Sequence, residues 1–307
     1  NSRVSGSLEV YTMQTKDLLI QRSLPNVTGY SNVFTNLGQV DNRGFELNMN
    51  TVNVRNKNLT WRTGFGVAHN RNEIVSLYGD LVDELDANGN VIGQKEADDV
   101  TNGWFIGHAI DEIWDYRILG IWQSDEVEEA KKYARQPGDF KIEDVNGDGF
   151  YTNDDKVFQG YEKPVFRVNL RSDLQYKDFD LSVKFYSYLG HKAENNHKRN
   201  NDVFYDRGSS FNVPYWTAEN PNNEWARVES YETGYTVYEN NSFIRLDNVA
   251  LSYNVPLKLL ERYGIGGVKL SAIAQNPFVW APTWSWMDPE QRGYTSTFYT
   301  FKLNLTL

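Results

Sequence analysis

No cysteine occurs in the 307 residues, which excludes a disulfide framework, a thiol nucleophile and a cysteine zinc site. Histidine is nearly as scarce: His69, His108, His191 and His197 stand apart, without the spacing of metal ligands. Basic runs are absent and the net charge is −10, which argues against a nucleic-acid partner. No apolar run approaches the roughly 18 residues of a membrane-spanning helix, and mean hydropathy is −0.61. There is no G-x-S-x-G, no phosphate loop and no Ser-His-Asp arrangement, so no enzyme activity is expected. Carboxylates abound, but they sit in loops or alternate with bases, which gives no support to a glycosidase pair.

What the chain does have is aromatic residues (9 Trp, 19 Tyr, 16 Phe) and long period-two stretches. In residues 58–70 one set is Leu59, Trp61, Thr63, Phe65, Val67 and His69; the other is Thr60, Arg62, Gly64, Gly66, Ala68 and Asn70. Residues 166–176 set Phe166, Val168, Leu170 and Leu174 against Arg167, Asn169, Arg171 and Asp173. Residues 299–307 set Tyr299, Phe301, Leu303 and Leu305 against Thr300, Lys302, Asn304 and Thr306. Alternation of this kind makes strands with one apolar and one hydrated face. A tilted strand crosses a bilayer in roughly 9–11 residues, and an outer-membrane barrel is apolar outside and polar inside. Low hydropathy is no objection, because only alternate residues meet lipid, and interface girdles account for many aromatics. The reading is an all-β, transmembrane antiparallel β-barrel wall, with Arg62, Arg167, Arg171, Lys184 and Lys302 facing the lumen.

Along the chain, strands are predicted at 4–16, 38–54, 58–70, 163–176, 179–190, 242–255, 267–278 and 299–307. Residues 20–36 read as a loop, and Arg55–Asn58 and YKDF as short turns. Residues 79–102 carry a hairpin-like DANGN tip, and 103–123 are extended and aromatic. Ser124 reads as the N-cap of a helix over DEVEEAKKYAR, and LKLLERYG as a short helical connector. Placing both short turns at the periplasmic end implies an odd number of further crossings between 79 and 163. Nine or so strands leave two open edges, so a stable fold is expected only with the rest of a barrel. The chain opens directly on strand-like sequence, so an amino-terminal part of the protein is expected to be missing.

An ordered series of segments resembles the SusC-like TonB-dependent transporters of the Gram-negative outer membrane. It runs NLGQVDNRGFELNMNTVNV (36–54), NRNEIVSLYG (70–79), LGIWQSDE (119–126), PGDFKIEDVNGDGFYTNDDKVFQG (137–160) and YKDFDLSVKF (176–185). It continues through WTAENPNNEWARV (216–228), FIRLDNVALSYNVPLKLLERYGI (243–265), LSAIAQNPFVW (270–280) and LNLTL (303–307). Leu307, where the family usually ends in Phe, and His191, where a Gly-containing segment is common, depart from its pattern. The resemblance implies that residues 1–307 are the carboxy-terminal portion of a 22-stranded plugged barrel with long extracellular loops, whose plug lies outside this chain. It further implies uptake of oligosaccharides or peptides, TonB as power source, a SusD-like surface lipoprotein as lid, and contact with outer-membrane lipid.

DVNGDGFYTNDD follows the EF-hand ligand order: Asp144, Asn146, Asp148, the Phe150 carbonyl, Thr152 and Asp155 at loop positions 1, 3, 5, 7, 9 and 12, with Gly149 at 6. Oxygen ligands on a tight turn suit a structural, low-affinity Ca²⁺; the competing reading is a solvated Asx-rich turn. Tyr215, Trp216, Trp225, Trp284 and Trp286 are candidates for ligand or lid contact, against girdle or packing roles. Two alternatives share some of these features: a secreted calcium-stabilised β-sandwich of carbohydrate-binding or hydrolytic type, and a TonB-dependent siderophore receptor. A sandwich would bury its apolar face and turn every 8–12 residues.

Overall fold

The computed structural model describes residues 3–23, 27, 29–195, 198, 213–228, 235–284 and 287–306. The chain opens with three long strands, β1 (Val4–Ser23), β2 (Asn32–Arg55) and β3 (Leu59–Ser76). A hairpin comes next, β4 (Leu81–Leu85) and β5 (Val91–Glu96), turned by Asp86, whose carboxylate accepts the backbone N–H groups of Asn88 and Asn90 at 2.8 and 2.9 Å. Then stand β6 (Glu112–Tyr116), β7 (Ile118–Ile121), the helix Val127–Lys132, β8 (Phe140–Ile142) and β9 (Lys156–Tyr161). After β10 (Phe166–Tyr176) and β11 (Phe179–Leu189) come the short β12 (Lys192–Glu194) and β13 (Tyr238–Asn240). The last strands are β14 (Phe243–Asn254), β15 (Gly267–Trp280) and β16 (Phe298–Thr306).

Eight of these strands form one antiparallel sheet in the order β1-β2-β3-β10-β11-β14-β15-β16. The chain divides into two compact units: residues 1–110, 163–191 and 241–307, which hold this sheet, and residues 111–162 with 192–240, which pair β6 with β9, β7 with β8 and β12 with β13.

Register explains the sheet. Residues directly opposite in an antiparallel pair share a face. One row therefore runs Leu8, Leu47, Val67, Val168, Ser187, Ile244, Trp280, and the next Met49, Phe65, Leu170, Phe185, Leu246, Phe278. A third runs Trp61, Leu174, Leu181, Leu251, Ala272, Phe301. Ser187 is the polar member, and its hydroxyl donates to the Phe243 carbonyl at 2.6 Å. The opposite face carries Asn50, Gly64, Arg171, Lys184, Asn248 and Gln275 in one row and Asn48, Gly66, Asn169, Tyr186 and Arg245 in another. The apolar rows are not a protein core: Val10 is 77% exposed and Phe301 85%. A sandwich would cover them with a second sheet; here they are open, as a lipid-facing wall requires.

Several expectations need correction. β1 runs on to Ser23 and β2 starts at Asn32, so much of the predicted loop 20–36 is strand. No crossing lies between 79 and 163: β3 pairs directly with β10, Trp61 against Leu174, so the segment between them leaves and re-enters at the same end. The sheet has eight strands rather than nine or so. Ser124 does not cap the helix; it opens a 3₁₀ turn whose N-cap is Gln123, and the Glu126 carboxylate accepts the Gln123 N–H at 2.9 Å.

The two faces make a direct prediction. In the complete protein refolded into lipid vesicles, Phe301→Arg should cost about 2–4 kcal/mol, while its neighbour Thr300→Arg should cost under about 1 kcal/mol. Urea titration checks this, and equal costs would mean that both faces meet the same solvent.

Candidate functional site

The first candidate surface is the polar face. All five predicted lumen cations lie on it: Arg62 stands opposite Asp173, Arg171 opposite Gly64, Lys184 opposite Arg171, and Lys302 opposite Ser271, while the Arg167 guanidinium sits 5.7 Å from the centre of the Tyr188 ring. Arg171–Asp173 (2.9 Å), Lys184–Asp247 (2.8 Å) and Lys269–Asp180 (2.9 Å) are open ion pairs. Such half-exposed pairs add little stability. They make a hydrated, hydrogen-bonding wall that a polar solute can pass.

The second candidate is the acidic loop. Asp144 accepts backbone N–H groups from Gly147 (2.7 Å) and Gly149 (3.0 Å), and the Tyr133 hydroxyl donates to it at 3.2 Å. Desolvation pushes the Asp144 carboxyl up, but these bonds outweigh it and hold it below the ordinary carboxylate range. The Asn146 side-chain oxygen accepts from Asp148 N–H at 2.9 Å, and Asp148 from Phe150 N–H at 2.8 Å. Asp155 is wholly buried and takes the N–H groups of Val145 (2.9 Å) and Thr152 (2.8 Å). The Thr152 hydroxyl accepts from Asp154 N–H at 3.2 Å. Gly147 and Gly149 take φ of 73° and 83°, which the tight turn needs. The predicted ligands therefore share one turn, tied through backbone N–H groups. Among the described residues no three carboxylate or imidazole groups gather as a metal-binding set. Asp144 Oδ2 and Asp155 Oδ1 each take two donors, whereas Asp144 Oδ1, Asp155 Oδ2 and both Asp148 oxygens take one and keep a further lone pair for a hard cation.

The aromatic candidates divide. Trp216 and Trp225 are buried within the second unit, where the Trp216 indole N–H donates to the Gln123 side chain at 3.0 Å. The Lys198 ammonium lies 5.5 Å from the Trp225 ring centre and pairs with Glu239 at 2.5 Å. Trp216 belongs to a core with Ile121, Phe140, Ile142, Ala226, Tyr235 and Val237. Tyr215 stays on the surface, Trp284 is buried in the first unit, and Trp286 lies outside the described residues. Two features had gone unread in the sequence. One is the ring series Trp122–Tyr133–Tyr151–Tyr235–Tyr116, with neighbouring centroids 4.9–6.3 Å apart, which carries the acidic loop on Tyr133 and Tyr151. The other is the buried Arg245–Asp288 pair, 2.7 Å, whose partners lie far apart in sequence.

With two-faced strands in an unclosed antiparallel sheet, the fold is that of transmembrane β-barrel wall, and the chain is a protein of the bacterial outer membrane. No family model matches the chain. It is similar to TonB-dependent receptor P26 of Formosa agariphila, 31% identical over an alignment of 314 positions that takes in 96% of this chain and 30% of that protein. It is similar also to TonB-dependent receptor SusC of Bacteroides thetaiotaomicron, 28% identical over an alignment of 330 positions that takes in 100% of this chain and 30% of that protein. Solved structures of the RagAB peptide transporter share the fold, with TM-score 0.71 at 21% identity, over 99% of this chain and 34% of that one. The RagAB importer in its 'open-open' state gives TM-score 0.72 at 20% identity, over 100% and 33%. The chain thus carries the sequence and fold of one segment of a SusC-like TonB-dependent transporter, spanning about 30% of the length of the curated relatives it matches.

Gly138 shows how tightly the second unit is built. It sits at φ 91°, its N–H donates to the Trp122 carbonyl at 2.8 Å and its carbonyl accepts from Arg227 N–H at 2.8 Å. A Cβ there would lie 2.6 Å from Trp216 Cε3 and 2.8 Å from Arg227 Cβ. Gly138→Ala should therefore cost at least about 1–3 kcal/mol of local stability. Faster proteolysis within 111–162 and 192–240, with the barrel strands still protected, is the expected outcome; unchanged cleavage would show that the loop absorbs the methyl group.

Proposed function

We propose that this chain is part of a SusC-like outer-membrane importer that takes up oligosaccharides or peptides. It works with a SusD-like surface lipoprotein over its mouth and TonB acting through a part of the protein outside these residues. The observation that carries the reading is the eight-stranded, two-faced sheet found together with similarity to TonB-dependent receptors along nearly the whole chain. Both named classes of cargo are polar, which suits a face of Asn, Gln, Ser, Arg and Lys. The peptide option draws support from the name of the RagAB transporter. The chain's relatives are receptors and transporters, in keeping with the lack of catalytic signatures.

Uptake by cells checks this. A strain lacking the complete protein should lose import of one labelled oligosaccharide or peptide pool, and a strain lacking TonB should lose the same pool. Tagged protein drawn from detergent extracts should bring a surface lipoprotein with it. Unchanged uptake of every pool in the deletion strain would remove the importer reading.

We further propose that the loop from Asp144 to Asp155 takes a structural Ca²⁺, through Asp144, Asn146, Asp148, the Phe150 carbonyl, Thr152 and Asp155. Three carboxylates on one turn, none ion-paired to Lys or Arg among the described residues, support it. The ion would neutralise them and stiffen the turn against the Tyr133 and Tyr151 rings. Terbium bound there should be sensitised by those tyrosines, and calcium should displace it with a dissociation constant on the order of 10⁻⁴–10⁻³ M. Asp144→Asn combined with Asp148→Asn should abolish the signal. If the wild-type protein gives none, the turn holds itself by its own hydrogen bonds.

A further inference from the structure

The connection from β15 to β16 does not simply leave the sheet. Its residues Met287–Thr297 are tied to the polar face. The Arg245 Nη2 donates to both Asp288 carboxylate oxygens at 2.7 Å, and Nη1 donates to the Asn276 side-chain oxygen. Glu290 stands 3.5 Å from Arg245 Nε and accepts the Tyr186 hydroxyl at 2.5 Å. The Asn241 side chain donates to the Pro289 carbonyl at 2.7 Å, and the Thr297 hydroxyl to the Asn276 carbonyl at 3.0 Å. Asp288 also closes the loop on itself, accepting the N–H groups of Glu290 (3.0 Å) and Gln291 (3.1 Å).

The anchors belong to the wall. Tyr186 and Arg245 are opposite each other in register on the polar face. At the same level β14 and β15 both depart from regular pairing, between Leu246 and Asn248, and Asn276 takes φ 51°. Bulges commonly re-aim side chains beside functional features, and here Asn276 is turned toward the strap formed by residues 287–297, its side-chain amide donating to the Ser296 carbonyl at 3.4 Å. A polar cavity of about 330 Å³ lies here, lined by Tyr186, Arg245, Asp247, Asn248, Gln275 and Glu290 among others.

Exposure separates this ion pair from its neighbours. Arg171 and Asp173 are 62% and 37% exposed, whereas Arg245 and Asp288 are 4% and 3%. On a hydrated wall, burial of both charges means that the strap covers them. The cover is imperfect: His191 Nδ1, Asn241 Oδ1, Arg245 Nε and Trp284 Nε1 are buried without a hydrogen-bond partner in the protein. A partly satisfied buried network holds a geometry while contributing less than a complete one. A buried ion pair can also specify one arrangement without adding much net stability. Both are properties of a contact that can be undone.

We propose that residues 287–297 are an inward-folded latch, seated on the polar wall by the Arg245–Asp288 pair, whose release widens the path along that wall. The latch is read from contacts within this chain; its bearing on transport rests on the importer reading above.

The test uses the complete protein in lipid nanodiscs and in cells. Asp288→Asn keeps the shape and removes the charge. Hydrogen exchange of amides in 287–297 should rise about tenfold or more, with β14 and β15 unchanged. Residues 1–307 hold no cysteine; with any cysteine elsewhere in the complete protein replaced by serine, Tyr186→Cys with Glu290→Cys can be bridged by a short bis-maleimide in membranes. The bridged protein should keep slow exchange in 287–297 and lose at least about tenfold of its uptake relative to the unbridged double variant. Unchanged exchange in Asp288→Asn overturns the latch, as does equal loosening of β14 and β15, which would make the pair part of the sheet's own stability. Undiminished uptake after bridging overturns its gating role. Absence of uptake in the wild-type protein instead overturns the importer reading, and the exchange result still decides the latch.

Discussion

Everything in the sheet depends on register. In hydrocarbon a backbone N–H or C=O has no water to turn to, so each strand must be paired along its whole lipid-facing length. Pairing then fixes which side chains share a face, and a slip of one residue would exchange the faces. The row from Leu8 through Val67 and Val168 to Trp280 holds only because every pair agrees in phase. At three of the places where regular pairing breaks, between Val52 and Val54, Lys184 and Phe185, and Leu246 and Asn248, the apolar rows continue on the far side. β1 and β16 remain at the two edges of the sheet, so further strands are needed before the ladder is complete.

Alternation was legible because it is local. Residues 59–70, 166–176 and 299–306 each state their two faces within one strand, and the sheet uses them as read; Leu307 lies outside the described residues. Strand ends were less so. The β1–β2 hairpin continues past Gln21 and Phe34, where the residues alternate only weakly, and the partner strand rather than propensity sets the boundary. The error over crossings has a similar origin. A long polar segment between two strands looks as though it must contain more wall, yet β3 and β10 are neighbours across it. Nothing local marks two strands as adjacent when a folded insertion separates them.

The second unit shows why aromatic residues resist assignment from sequence. A tryptophan in a long loop beside Asn, Pro and Glu reads equally as a ligand platform, a girdle or a core. Trp216 and Trp225 are core, because residues 213–228 return to cover Ile121 and Phe140, more than seventy positions earlier. The acidic loop was easier to find, since its ligand-like order is contiguous. Even so, the turn's hydrogen bonds form from the same Asp, Asn and Gly residues that a calcium site would use, so the motif alone does not separate the two.

The sheet also sets a polarity for the chain. Strand pairing places 56–58, 177–178 and 255–266 at one end, and every long connection at the other: 77–165, 190–242 and 281–297. The short end carries two tight turns, with Asn56 accepting the N–H groups of Asn58 and Leu59 and Lys177 at φ 51°, and one short helical connector, residues 257–263. Two of the long connections, 77–165 and 190–242, contribute the two stretches of the second unit, 111–162 and 192–240. Outer-membrane barrels keep short turns toward the periplasm and long loops toward the outside. Of the three long connections, 281–297 has too few residues to build a core of its own, and its polar groups must find partners on the wall it leaves. Arg245, Asn276 and Tyr186 are those partners, so the same shortage of chain that denies this loop a fold fixes its position.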